Sequence, residues 1–139
     1  PKEGVVIVRG TSSTNTVVSI LDEISSKYNV KIVSAISWEL FDMQDSQYKS
    51  SIIGDQEWAD SMVITNTGLN VMKNWMSNRV VADYSLSPDW DNRWRTGGSL
   101  EQIIDEAHLS PRWVMKSIAK FATDRSKRLE RLKQEIPEE

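Results

Sequence analysis

Val30–Ile53 reads VKIVSAISWELFDMQDSQYKSSII, and the order of parts within it decides the fold. Val30, Ile32, Val33, Ala35 and Ile36 form a nearly continuous apolar run, the pattern of a strand covered on both faces. The spacing predicts a strand over Val30–Ile36. An aromatic-acidic turn follows, from Ser37 to Gln44, then a short helix that closes on the apolar pair Ile52-Ile53.

Upstream, Val5, Val6, Ile7 and Val8 stand in a row and predict a second buried strand, Val5–Arg9. Gly10 breaks it, and Thr11-Ser12-Ser13-Thr14-Asn15 offers several helix caps. Val17, Leu21, Ile24 and Tyr28 then recur at helical spacing, with Asp22, Glu23 and Lys27 available for the wet side. Strand, helix and strand in this order make a βαβ unit, expected to be parallel and right-handed.

Downstream, Gly54-Asp55-Gln56-Glu57 reads as a surface link and Met62-Val63-Ile64 as a third strand. Gly68–Met76 reads as a covering helix with Leu69, Met72 and Trp75 or Met76 on one face. Arg79–Tyr84 reads as a fourth strand. Pro88 and the Gly97-Gly98 pair make Ser87–Gly98 a loop. Ser99 with Gln102 forms a capping box, and Ser110-Pro111 is a stronger helix start, a cap followed by proline at the first helical position. Trp113, Val114, Ser117, Ile118 and Phe121 are expected to face the sheet. Past Phe121 the apolar stripe thins to Leu129 and Leu132 among charges, so a solvated helical extension is favoured over a helix docked on another subunit. The expectation is a three-layer α/β/α domain over residues 1–124, with a mostly parallel mixed sheet of four to five strands. A charged helical tail, 125–139, follows.

Composition narrows the function classes. A chain of 139 residues fits one domain that buries roughly 70% of its unfolded surface. Hydrophobic residues make up 39% of it, enough for a core and too many for wholesale disorder. Net charge is -3 with both signs mixed along the chain, which favours neither nucleic acid nor an anionic membrane as partner. The absence of cysteine excludes disulfides and thiolate metal sites, and a cytoplasmic setting fits. No apolar run approaches the ~20 residues of a membrane span. The opening Pro1-Lys2-Glu3-Gly4, without methionine, suits either a processed terminus or a piece of a longer protein.

Trp38, Glu39, Leu40, Phe41, Asp42 and Gln44, followed by Tyr48, Ser51, Ile52 and Ile53, carry a resemblance. The stretch resembles the C-terminal domain of transketolase, where a strand leads into W-E-L-F-D-x-Q and then Y-x-x-S-[VI]-[LI]. The resemblance extends over Gly4–Phe121, strongest in Val30–Ile53. It implies a domain that buttresses a homodimer of an enzyme transferring two-carbon ketol units between sugar phosphates. Thiamine diphosphate and Mg2+ are then held by other domains, and the partners are other transketolase domains or subunits. The matching domains of pyruvate dehydrogenase and deoxyxylulose-phosphate synthase are close alternatives. Gly54-Asp55-Gln56 lacks the second glycine of the family's G-D-G diphosphate motif, and no Asn-Asn pair follows it. No catalytic, cofactor or metal ligand is therefore expected in this chain. A regulatory or anion-binding module is the rival reading, and a self-sufficient hydrolase ranks last.

Two segments are candidate sites. Gly10, Thr11, Ser12 and Ser13 lie where an open α/β sheet places ligands, at a strand end and a helix start. A plain helix cap is favoured there over an anion site. Transketolases usually carry T-G-S-E at this turn, and the acid is missing here. Asp89–Gly98, reading DWDNRWRTGG, sets Trp90, Arg93, Trp94 and Arg95 among acids. An interface role is favoured, ahead of packing and of ligand binding. His108, the single histidine, reads as structural, and Glu39, Asp42 and Asp45 as a solvated turn. The tryptophans read as core and interface anchors rather than a base-stacking platform.

Overall fold

A computed structural model describes residues 3–35, 37–88, 102, 104, 105 and 107–135. Three parallel strands, β1 (Gly4–Arg9), β2 (Val30–Ser34) and β3 (Ser61–Thr65), make one sheet in the order β2-β1-β3. β1 is central: Val6 lies beside Ile32 on one side and Met62 on the other. That position explains the unbroken Val5–Val8 run, because every one of these side chains is buried.

Helices pack on both faces. α1 (Thr11–Ser19) and α2 (Leu21–Lys27) lead from β1 to β2. They share one face with α7 (Pro111–Thr123), so that Val17, Ile24, Val114, Ile118 and Phe121 close over Val6, Val8, Met62 and Ile64. The connection from β2 to β3 runs through α3 (Trp38–Asp42), α4 (Ser46–Ile52) and α5 (Asp55–Ala59). After β3 come a 3-10 helix (Leu69–Trp75) and α6 (Arg79–Tyr84). On this second face Ile53, Met72, Trp75 and Val81 cover Val5, Ile7, Val33 and Val63, with Trp38, Phe41 and Trp58 half-buried at the margin. The fold is α/β with helices on both sides of a parallel sheet.

Several expectations need correction. Among the described residues the sheet has three strands, not four to five, and all its pairings are parallel. Arg79–Tyr84 is a helix: the Asn78 side chain accepts from Val81 N at 3.0 Å, and this cap outweighs the β-branched Val80-Val81 pair. The edge of β3 receives only a bridge at Leu86, which donates to Val63 O (2.8 Å) and accepts from Thr65 N (3.0 Å). Leu21 is 41% exposed, because a break at Ile20 (φ -113°, ψ 12°) shifts the helical phase and turns Ile20 inward. Gly54–Glu57 is no link: Glu57 Oε1 accepts from Gly54 N at 3.1 Å and starts α5. Leu69, Met72 and Trp75 recur every third residue, the period of a 3-10 helix, and Met72 and Trp75 are both buried. Strand β2 ends at Ser34, and Ile36 and Ser99 lie outside the described residues.

α8 (Arg125–Glu135) returns to the amino end of the sheet. Arg128 is 1% exposed and pairs with Asp60, while its Nη2 donates to Glu3 O (2.8 Å) and its Nε to Phe121 O (2.9 Å). Its guanidinium also lies 3.6 Å from the Phe121 ring centre. Burial pushes the Arg128 pKa down and Asp60 opposes that shift; an arginine stays charged under such conditions. Leu132 is buried too, so this segment's charge pattern does not describe a uniformly wet helix. Gly4 is required beneath it. At φ 138° a Cβ would stand 2.5 Å from the Phe121 ring.

Candidate functional site

The chain leaves β1 into α1 on one face and leaves β3 into the 3-10 helix on the other, so the two connections diverge at the carboxyl ends of these neighbouring strands. A crevice opens at such a reversal of strand order. Its floor is the turn from β1 into α1. Gly10 caps α1 with φ 97°, and no side chain caps the helix. A Cβ on Gly10 would lie 2.2 Å from Asn66 Oδ1, so only glycine lets the chain after β3 approach this closely. Asn66 Nδ2 donates to Ser12 Oγ at 2.9 Å and ties the two strand ends together. Thr14 N reaches back to Gly10 O (2.9 Å). The amides of Thr11, Ser12 and Ser13, the first turn of α1, find no acceptor among the described residues.

A cavity of about 150 Å³ adjoins this turn. Ser12, Ser13, Thr16 and Asn66 form its polar wall, and Pro88, Ile104, Ala107 and Leu109 its apolar wall. Thr16 Oγ1 is used locally, donating to Ser12 O at 2.9 Å. Ser13 is different: it is 2% exposed and its Oγ has no hydrogen-bond partner among the described residues. On the β2 side a shallower groove is bordered by Arg9, Thr14 and Asn15. Arg9 Nη1 contacts Met72 Sδ at 3.7 Å and has no carboxylate partner among the described residues. Gly10, Thr11, Ser12 and Ser13 are thus brought to a strand-end crevice with unused donors, more than a filled cap would leave.

The other candidates fare differently. Trp90, Arg93, Trp94 and Arg95 lie outside the described residues. The acids of the SWELFD segment serve local structure: Glu39 accepts from Ser37 Oγ (3.2 Å), Asp45 caps α4 through Tyr48 N (2.8 Å), and Asp42 lies 3.6 Å from Lys49 Nζ. His108 takes φ 63° and stacks on Trp113 at 3.7 Å. Beside it, Arg112 and Ser110 hold the Asp105 carboxyl well below the usual carboxylate range.

Sequence reasoning passed over two groupings. Asn66 carries no local signal, and only the β2-β1-β3 order places it against Ser12. Trp38, Phe41, Trp58 and Trp75 gather into one cluster, with ring centres 5.2 Å apart for Trp38–Trp75 and 5.3 Å for Phe41–Trp75. Among the described residues, no group of three His, Asp or Glu converges to hold a metal ion, and no helix is long and apolar enough to cross a membrane. No family model matches the chain, and no curated protein matches its sequence.

Proposed function

We propose that this chain is a bracing domain of the transketolase C-terminal type, a three-layer module that supports neighbouring protein while the ketol-transfer chemistry resides elsewhere. The reading rests on the SWELFD resemblance. The observation that carries it is the way that segment is built. Trp38 and Phe41 turn inward onto Trp58 and Trp75, whereas Leu40 and Met43 stand 62% and 79% exposed and Tyr48 is exposed beside them. Each aromatic pair is worth about 0.5–1.5 kcal/mol beyond its buried area, so the inner half fixes the segment rigidly. The outer half presents apolar side chains of the kind that a protein neighbour covers. Thiamine diphosphate with its metal does not fit the residues present: Asp55 opens α5 and belongs to no group of three His, Asp or Glu among the described residues. In the intact enzyme the cofactor supplies the carbanion chemistry, and this chain's part is to hold its neighbours in place. A cytoplasmic homodimer is the setting this reading carries with it.

The test is ketol transfer from a ketose phosphate to an aldose phosphate with thiamine diphosphate and Mg2+ supplied. The chain alone should be silent, and it should gain activity only when mixed with the cofactor-binding domains. Leu40→Asp with Met43→Asp should weaken that association and leave the melting temperature of the isolated chain unchanged. Turnover by the chain alone, or association indifferent to both substitutions, rejects the reading.

A further inference from the structure

We propose that the crevice between Gly10–Ser13 and Asn66 binds a small phosphate ester, with the phosphate seated on the first turn of α1 and the carbon portion against the apolar wall. Two independent observations carry the assignment. The first is position and supply of donors. At the reversal of strand order, three successive amides at a helix start find no acceptors among the described residues, an arrangement that suits oxyanions. The second is the Ser13 hydroxyl, buried against the cavity yet without a hydrogen-bond partner among the described residues. Buried hydroxyls are nearly always partnered, so a vacant donor here marks a place where an acceptor is missing.

Size and charge fit a phosphate ester. The cavity of 150 Å³ is about five times the volume share of one liquid water, room for a phosphate and a few attached atoms. Ile104, Ala107 and Leu109 offer no donors, so that wall suits carbon rather than a second charge. Arg9, at the end of β1 and without a carboxylate partner among the described residues, adds positive potential from the adjoining groove. Asn66 holds the Ser12 hydroxyl in place. This inference stands apart from the bracing role: a domain can support its neighbours with or without a ligand here.

Titration calorimetry with glycerol 3-phosphate, inorganic phosphate and glycerol, at matched ionic strength, tests the assignment. Glycerol 3-phosphate should saturate, inorganic phosphate should bind more weakly, and glycerol should give no heat. In amide NMR the Ser12 and Ser13 signals should move most. Ser13→Ala should melt no lower than the parent chain, since it deletes an unpartnered group, and should lower affinity by at least about tenfold, the scale of one lost charge-assisted hydrogen bond. Asn66→Asp, which sets a carboxylate opposite the amides, should abolish binding. No saturation up to about 10 mM, equal affinity for free phosphate and ester, or unaltered binding by Ser13→Ala would each overturn the proposal.

Discussion

The two ends of the sheet are built on opposite terms. At the amino end, where the strands begin, polar groups are used up. Asp60 takes both Arg125 (3.0 Å) and Arg128, Glu3 O and Phe121 O accept from Arg128, and Asn29 N donates to Glu3 Oε2 (2.9 Å). At the carboxyl end, donors are left over among the described residues: the Ser13 hydroxyl, three amides and most of the Arg9 guanidinium. The same three strands thus join an end committed to stability to one whose unfilled hydrogen-bonding capacity is available for recognition.

That contrast can be broken by mutation, the largest effect at the amino end. Asp60→Ala strands the buried Arg128 charge and should cost about 3–5 kcal/mol in urea unfolding. Arg128→Met should cost less, because Asp60 keeps Arg125. If the two substitutions cost the same, the pair is not the keystone of this end. Gly4→Ala combines a left-handed backbone with overlap on Phe121 and should cost about 2–4 kcal/mol; a neutral result would mean that Phe121 yields freely.

A smaller effect is expected from acid. Asp105 is held below its ordinary pKa by Arg112 and Ser110, and Asp124 by Lys120 and Tyr84. A depressed folded-state pKa means that the unfolded chain takes up protons first as pH falls. The stabilisation is complete above about pH 4 and fades as pH drops through the lower, folded values. Melting temperatures recorded against pH should therefore fall on the acid side, and Asp105→Asn should lower the neutral-pH melting temperature slightly and shallow the acid decline, the two curves converging at low pH. Smallest of all, Ser13→Ala should leave stability unchanged or raise it by up to about 1 kcal/mol. A clear loss would show that the hydroxyl is already satisfied and would erase the contrast between the ends.

Most of the framework was legible in the residues. The Val5–Val8 run, the Val30–Val33 run and Ser110-Pro111 announced β1, β2 and α7, because strands covered on both faces and a proline at the first helical position leave local marks. The expected side-chain cap is not made, since Ser110 Oγ donates to Asp105 instead. α6 was hidden, since its residues have strand propensity and the deciding contact is the Asn78 cap. Arg128 was hidden for another reason: charge patterning assigns it to water, and Asp60 lies 68 residues away. The candidate site was half visible. The Gly10–Ser13 turn follows from the strand-helix boundary, whereas Asn66 joins it only through strand order, and no sequence cue distinguishes the unpartnered Ser13 hydroxyl from its neighbours.

The bond from Arg128 to the Glu3 carbonyl spans 125 residues. During synthesis β1 is made well before α8, and its amino end must wait for α8 before it can be locked. Such a long-range closure slows folding and prolongs the exposure of apolar strand edges. Until then, the nascent Val5–Val8 segment, fully apolar and destined for the sheet centre, is open to mispairing with other strand edges.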